Sequence, residues 1–283
     1  MTLCEITSTS RSTRASRVRG HHLRPRAQAE LALLVVLFVI YSVGRLLGHP
    51  ALPTATAHAR DLLHIEALLH LNIELQANEL LDSVPLLALM GSYWYALLHY
   101  LVTPSVLLWA YHQRPLHYRR VRNALVIGSA IGLVGFTLIP MAPPRLLPGY
   151  VDTLATTAQH GWWGSDASAP RGLGAMTNQL AAMPSLHVGW ALWCAWVVFT
   201  LTERRWVRIA AIAYPIGTTL VVVGTANHYV LDAVAGIAVM VIAIHVVGRL
   251  PQVIRLPEQR GPVDDGGRDG GTDDDAEAYG QAA

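Results

Sequence analysis

Six stretches of mostly apolar residues dominate the chain, at about 30–48, 84–111, 121–141, 185–202, 206–225 and 228–249. Each meets or approaches the roughly 20 residues that a helix needs to cross a bilayer. In hydrocarbon every backbone polar group must be satisfied within the protein, so only helices and closed barrels can span. No period-two alternation supports a barrel. The expected fold is therefore all-α, a polytopic membrane bundle with six transmembrane helices. Composition agrees: the 283 residues are 52% hydrophobic and only 14% charged, with a mean hydropathy of +0.35. A soluble domain devotes about a quarter of its residues to charge. A net charge of +2, with no basic stripe interleaved with aromatics, argues against a nucleic-acid partner.

All 21 basic residues are arginine, so no lysine is available for catalysis. Their placement gives an orientation by the positive-inside rule. Arg11, Arg14, Arg17, Arg19, Arg24 and Arg26 precede the first stretch. Arg114, Arg119, Arg120 and Arg122 lie between the second and third, and Arg204, Arg205 and Arg208 between the fourth and fifth. Arg249, Arg255, Arg260 and Arg268 follow the sixth, whereas the opposite side holds only Arg45, Arg60, Arg145 and Arg171. Both termini are expected in the cytoplasm of a cell with a bacterial-type plasma membrane, and the odd-numbered connections outside it. A signal peptide cleaved near Ala57-His58-Ala59 is the competing reading. That site lies far beyond the apolar run, so an uncleaved first span is preferred.

Residues 1–27 and 253–283 carry too little apolar surface to fold alone and are expected to be disordered tails around a membrane domain at 28–252. Cys4 and Cys194 suggest neither a disulfide nor a metal site. Segment 59–82 mixes leucines with Glu66, His70, Glu74 and Glu79, as an amphipathic helix on the outer membrane surface would. A packed cap over the bundle is its preferred role.

Ionisable groups at the edge of a bilayer are costly and usually serve a purpose. They concentrate in two segments at the outer ends of spans four and six. In Met183-Pro184-Ser185-Leu186-His187, Pro184 can open a helix whose free N–H groups favour an anion. Ser185 adds a donor there, and His187 sits one turn in. In Asn227-His228-Tyr229-Val230-Leu231-Asp232, His228 and Asp232 are four apart and share a helical face. A carboxylate on one ring nitrogen would fix the tautomer and leave the other nitrogen as nucleophile or base. Gly236 follows, offering a small face for close helix packing.

A third outward element, Pro140-Met141-Ala142-Pro143-Pro144-Arg145-Leu146, stops span three and sets Arg145 at the surface, where its fork suits a phosphate. Binding of lipid headgroups or interfacial water explains Arg145 equally well. Arg171, in the outer loop, is a weaker candidate for the same task. His99 reads as a buried packing or hydrogen-bonding residue.

These residues resemble the type 2 phosphatidic acid phosphatase superfamily, and more closely its inositol phosphorylceramide synthase branch of inositolphosphotransferase-like proteins. The likeness covers roughly residues 60–250 and rests on Ala-Pro-Pro-Arg-Leu at 142–146, Pro-Ser-Leu-His at 184–187 and Asn-His-Tyr-x-x-Asp at 227–232. It implies that His228 attacks phosphorus and forms a phosphohistidine, that Asp232 orients it, and that His187 protonates the leaving alcohol and then activates water or an acceptor alcohol. It implies that Arg145 clamps phosphate oxygens and that no metal or other cofactor takes part. The phosphatase branch usually has a lysine and an Arg-Pro pair in its first motif, Gly where this chain has Leu186, and Ser-Arg where it has Val221-Val222. Those departures favour the phosphotransferase branch.

The expected partners are membrane lipids: a phospholipid, polyprenyl-phosphate or sphingolipid-type substrate. Two other classes stay open. His187, His228 and Asp232 could form a two-His, one-carboxylate metal site, or the fold could be a lipid-binding or transport protein without catalysis.

Overall fold

The computed structural model describes residues 25–47, 52–164, 171 and 179–249. The expectations for the two tails fall almost wholly outside the described residues. Among the described residues every regular element is a helix. We label them α1 (Ala27–Leu47), α2 (Leu52–Leu68), α3 (Glu74–Asp82), α4 (Pro85–Gln113), α5 (Pro115–Leu138), α6 (Thr153–Thr156), α7 (Leu186–Leu201), α8 (Arg205–Gly224) and α9 (Val230–Arg249).

Four of these, α4, α5, α8 and α9, are long and apolar enough to cross a membrane, where six were expected. The apolar part of α1, Ala27–Ile40, and the 16-residue α7 are shorter. At 1.5 Å per residue α7 is about 24 Å long, less than the roughly 30 Å of a hydrocarbon core. It starts at Leu186, one residue later than the expected stretch. Pro184 precedes the helix rather than opening it, and Ser185 is the N-cap residue, with no side-chain capping bond.

The apolar α7 packs against α4, α5, α8 and α9. Its buried face, with Trp193 and Val197, meets Val121 of α5 and Met240 of α9, and Trp193 Nε1 donates to the Val121 carbonyl at 2.8 Å. Small residues let these helices approach. A β-carbon on Gly128 would lie 2.7 Å from Met240 Cε, and one on Gly132 would lie 2.5 Å from Leu186 Cδ2. At the end of the bundle where α5 begins and α7 finishes, Arg114 donates twice to the Leu201 carbonyl, closing the end of α7. Nearby, Glu30 of α1 pairs with Arg122 at 2.6 Å and accepts from Tyr118 Oη.

The stretch 59–82 is a cap, but not one helix and not arranged as expected. Helix α2 ends in a Schellman turn: the His70 N–H bonds the Ala67 carbonyl, and the Leu71 N–H reaches the Glu66 carbonyl. His70 itself stands at φ 56°, the position usually given to glycine. With no glycine there, the sequence carries no stop signal. The polar residues also divide: His70 and Glu79 stay exposed, as expected, but others turn inward. Glu66, Glu74 and Asn78 are fully buried in protein, while Ile65, Leu68, Leu69, Ile73 and Leu80 face outward. That is the arrangement an apolar solvent favours: leucines cost nothing in hydrocarbon, and carboxylates need protein partners.

Candidate active site at one end of the bundle

Three connections meet at the end of the bundle where α7 and α9 start. The first follows α5, the second precedes α7, and the third joins α8 to α9. They are knitted by backbone bonds: Met141 N–H to the Leu180 carbonyl, Ala182 N–H to the Met141 carbonyl, and Arg145 N–H to the Ala226 carbonyl. From α2, the Ala55 carbonyl accepts from Ala142, and His58 Nδ1 lies 2.9 Å from the Pro140 carbonyl. Tyr229 Oη donates to the Ala142 carbonyl.

The third connection is shaped by another Schellman turn. Ala226 N–H bonds the Val223 carbonyl and Asn227 N–H the Val222 carbonyl, with Ala226 at φ 56°. This left-handed residue reverses the chain immediately before His228, so the imidazole enters the protein instead of continuing along α8.

His228 is 4% exposed. Its Nδ1 lies 2.8 Å from the Ala182 carbonyl and 3.4 Å from Asp232 Oδ2. The carboxylate was expected to be the hydrogen-bond partner, but the carbonyl is closer and the acid is the outer neighbour. Both are acceptors, so both require the proton on Nδ1 and leave the lone pair on Nε2. Asp232 is fully buried, and its Oδ2 also accepts the Tyr229 N–H at 3.0 Å. Its backbone carbonyl accepts the Ser185 N–H at 2.9 Å, which ties the start of α7 to α9.

The two histidines, 41 positions apart in sequence, meet here: the ring centroids of His187 and His228 are 5.6 Å apart. Tyr95 stacks on His187 at 4.5 Å, and the His99 ring stands edge-on to it, also at 4.5 Å. Tyr95 lies in a single π-helical turn, Trp94–Leu98, inside α4. Such turns insert an extra residue and re-aim the side chains beside it. His99 Nδ1 lies 3.0 Å from the Tyr95 carbonyl. His99 is thus a packing and hydrogen-bonding residue, yet one packed on His187. An unusual concentration of rings at 93–100 was the available signal, and nothing in one sequence said which helix they would face.

Arg145 is almost wholly buried; its Nε donates to Asn227 Oδ1 at 3.0 Å and its Nη1 to Asp152 Oδ2 at 3.2 Å. It therefore lies against the residue just before His228. Arg171 does not join it. Its Nη2 donates to the carbonyls of Ala158 and Gly161, at 2.6 and 2.9 Å, and so closes the 158–163 turn.

Among the described residues, Ser185 Oγ and His228 Nε2 are buried and have no hydrogen-bond partner in the protein. More than nine in ten buried polar groups have such a partner. No three His, Cys, Asp or Glu side chains among the described residues are disposed to hold a metal ion.

No curated protein and no solved structure matches the chain. Residues 60–246, well over half of it, match the family model of the PAP2 superfamily, and that span takes in all three connections. The chain belongs to the PAP2 superfamily, as a multi-pass membrane protein of phosphatase type.

Proposed function

We propose that the protein cleaves a lipid phosphoester through a phosphohistidine on His228 and passes the phosphoryl or phospho-headgroup to water or an alcohol. The observation that carries this reading is the pair of imidazoles 5.6 Å apart, one of them with a buried, unpartnered Nε2. In the first step His228 Nε2 attacks phosphorus, the P–N bond forms and the P–O bond to the leaving alcohol breaks. His187 gives that oxygen its proton. In the second step neutral His187 takes a proton from water or the acceptor alcohol, whose oxygen displaces Nε2. Asp232, held beside Nδ1, stabilises the positive charge that develops on the ring. Arg145 and Ser185 Oγ bind phosphate oxygens, and neither a metal nor another cofactor enters either step.

Further parts of the reading rest on sequence alone. The arginine asymmetry supports six spans, cytoplasmic termini and an extracytoplasmic site in a plasma membrane. The motif departures, the missing lysine with Leu186 and Val221-Val222, support the inositolphosphotransferase-like branch. A second reading, a lipid-binding or transport protein of the same fold, predicts that the histidines are dispensable.

The deciding experiment incubates purified protein with a labelled phospholipid, with and without ceramide, diacylglycerol or inositol, and quenches it early to trap labelled protein. Label on His228, chased onto the acceptor, is the expected result. Label released only as free phosphate or free phosphorylated headgroup under every condition excludes transfer, and no cleavage at all favours the binding protein.

Two substitutions divide the proposed roles. His187→Ala is expected to slow release of an alkyl alcohol by about 10²- to 10⁴-fold, the usual worth of a general acid. With nitrophenyl phosphate, whose leaving group departs without a proton, the first-turnover burst of nitrophenol is expected to slow only a few-fold. Equal losses on both substrates remove His187 from that role. Arg145→Lys keeps the charge but not the fork, and is expected to lower kcat/KM by about a hundredfold. An unchanged value assigns Arg145 to the Asp152 pair alone.

A further inference from the structure

Three consecutive N–H groups open α9, and each is accepted by a different buried carboxylate. Tyr229 N–H goes to Asp232 Oδ2 at 3.0 Å, Val230 N–H to Glu74 Oε1 at 2.9 Å, and Leu231 N–H to Glu66 Oε1 at 2.7 Å. The donors are the groups a helix start leaves without partners, and the helix dipole favours negative charge there. These N–H groups are consequently committed and not available to a phosphate, which leaves the start of α7 as the helix terminus nearest the histidines.

The two glutamates come from separate elements, α2 and α3, and both are fully buried. Their remaining oxygens, Glu66 Oε2 and Glu74 Oε2, have no donor among the described residues. The two carboxyls interact with each other, and Asp232 is close enough to act on Glu66 as well. Two buried carboxylates accepting from adjacent N–H groups cannot both stay charged cheaply; one proton shared by the pair relieves their free oxygens.

We propose that Glu66 and Glu74 are positioning residues: a carboxyl–carboxylate pair sharing one proton, which clamps the first turn of α9 and so holds Asp232 and His228 in register for reaction. The inference rests on the reading of His228 as nucleophile. It adds that the cap formed by α2 and α3 supports the site from behind, and that its grip depends on one proton.

Burial, chiefly, pushes Glu66 up from 4.5 to about 8; the Leu231 N–H opposes the rise, and the negative charges of Glu74 and Asp232 add to it. The phenols of Tyr150 and Tyr229 are coupled electrostatically to the same glutamates. The sign follows from linkage. The folded protein holds this proton more tightly than the unfolded chain does. The pair's contribution to stability is therefore complete below pH 4.5 and is lost as the pH rises through about 8. Above that, two charges repel across the first turn of α9.

The test is a pH series on the full chain in detergent, from about pH 6 to pH 10, with two measurements: the thermal midpoint, and turnover of a labelled phospholipid. The wild type is expected to lose both as the pH passes about 8. Glu66→Gln accepts from Leu231 and donates to Glu74 without titrating, so it keeps its midpoint and its turnover into the alkaline range. Glu66→Ala leaves the Leu231 N–H bare and is expected to lower kcat about a hundredfold with KM little changed, the scale of a small misplacement of reacting groups. An alkaline fall in midpoint that is the same in Glu66→Gln as in the wild type overturns the proposal, as does full turnover in Glu66→Ala. The midpoint series needs no substrate. If no phospholipid is ever turned over, the functional reading fails, and the glutamate pair is still judged by its midpoint.

Discussion

His228→Asn is expected to lose turnover by roughly 10⁴- to 10⁶-fold, the scale seen when a covalent nucleophile is removed, and to lose the trapped phosphorylated intermediate altogether. The choice of asparagine follows from the surroundings of Nδ1. Truncation to alanine would strip the Ala182 carbonyl of the donor now 2.8 Å away. A buried carbonyl left bare costs about 1–3 kcal/mol, so an inactive His228→Ala could be inactive because it is unfolded. The amide of asparagine can donate from near the position of Nδ1, but it has no nucleophilic nitrogen. The variant should therefore melt close to the wild-type temperature and still carry no label. A labelled His228→Asn would place the covalent step on another residue, His187 first among them. Retained turnover without label would remove the covalent role from His228.

The second large effect is expected at a position with no chemistry. A β-carbon at Gly236 would lie 2.1 Å from the Ser185 carbonyl oxygen and 3.0 Å from its carbonyl carbon. The obstacle is backbone, not the tip of a flexible side chain, so one of the helices must move. Overpacking a core usually costs about 1–3 kcal/mol, and a clash with main chain belongs at the upper end or beyond. The displaced group is also the worst one to displace. Ser185 bonds the Asp232 carbonyl through its own N–H, and His187 follows two residues later. Gly236→Ala should therefore lower the thermal midpoint by many degrees, and the surviving folded fraction should turn over poorly. Gly224→Ala is the control: its β-carbon would stand 3.5 Å from the Ala77 carbonyl, an ordinary contact, and should be tolerated. If the two alanine variants melt alike, the close approach of α7 to α9 is not what holds the site together.

Both predictions concern the same joint. Ser185, Asp232, Gly236 and the Ala182 carbonyl tie the start of α7 to the start of α9; His187 lies in the first turn of α7, and His228 stands two residues before α9. The cap formed by α2 and α3 presses on that joint from one side through Glu66 and Glu74. Arg145 reaches it from the other through Asn227.

By itself the chain determined the parts that depend on local composition. Apolar length without period-two alternation dictated helices, since only helices and closed barrels satisfy a backbone in hydrocarbon. The spacing of His228 and Asp232 announced that the two would meet, although not on one helical face: α9 starts at Val230, and His228 reaches the acid from the connection before it. The small residue at Gly236 announced a close contact without naming what it touches.

The tertiary structure decided everything that depends on what lies across a gap. It set the Ala182 carbonyl nearer to His228 than the carboxylate, and it folded Tyr95 and His99 onto His187. It ended α2 at a histidine, broke the expected single helix in two, and turned Glu66 and Glu74 inward. The reason is common to all of these. A periodic pattern says which residues share a face, but not whether lipid or protein lies against that face. Here Leu68, Leu69 and Leu80 look out, while Glu66 and Glu74 find their donors inside.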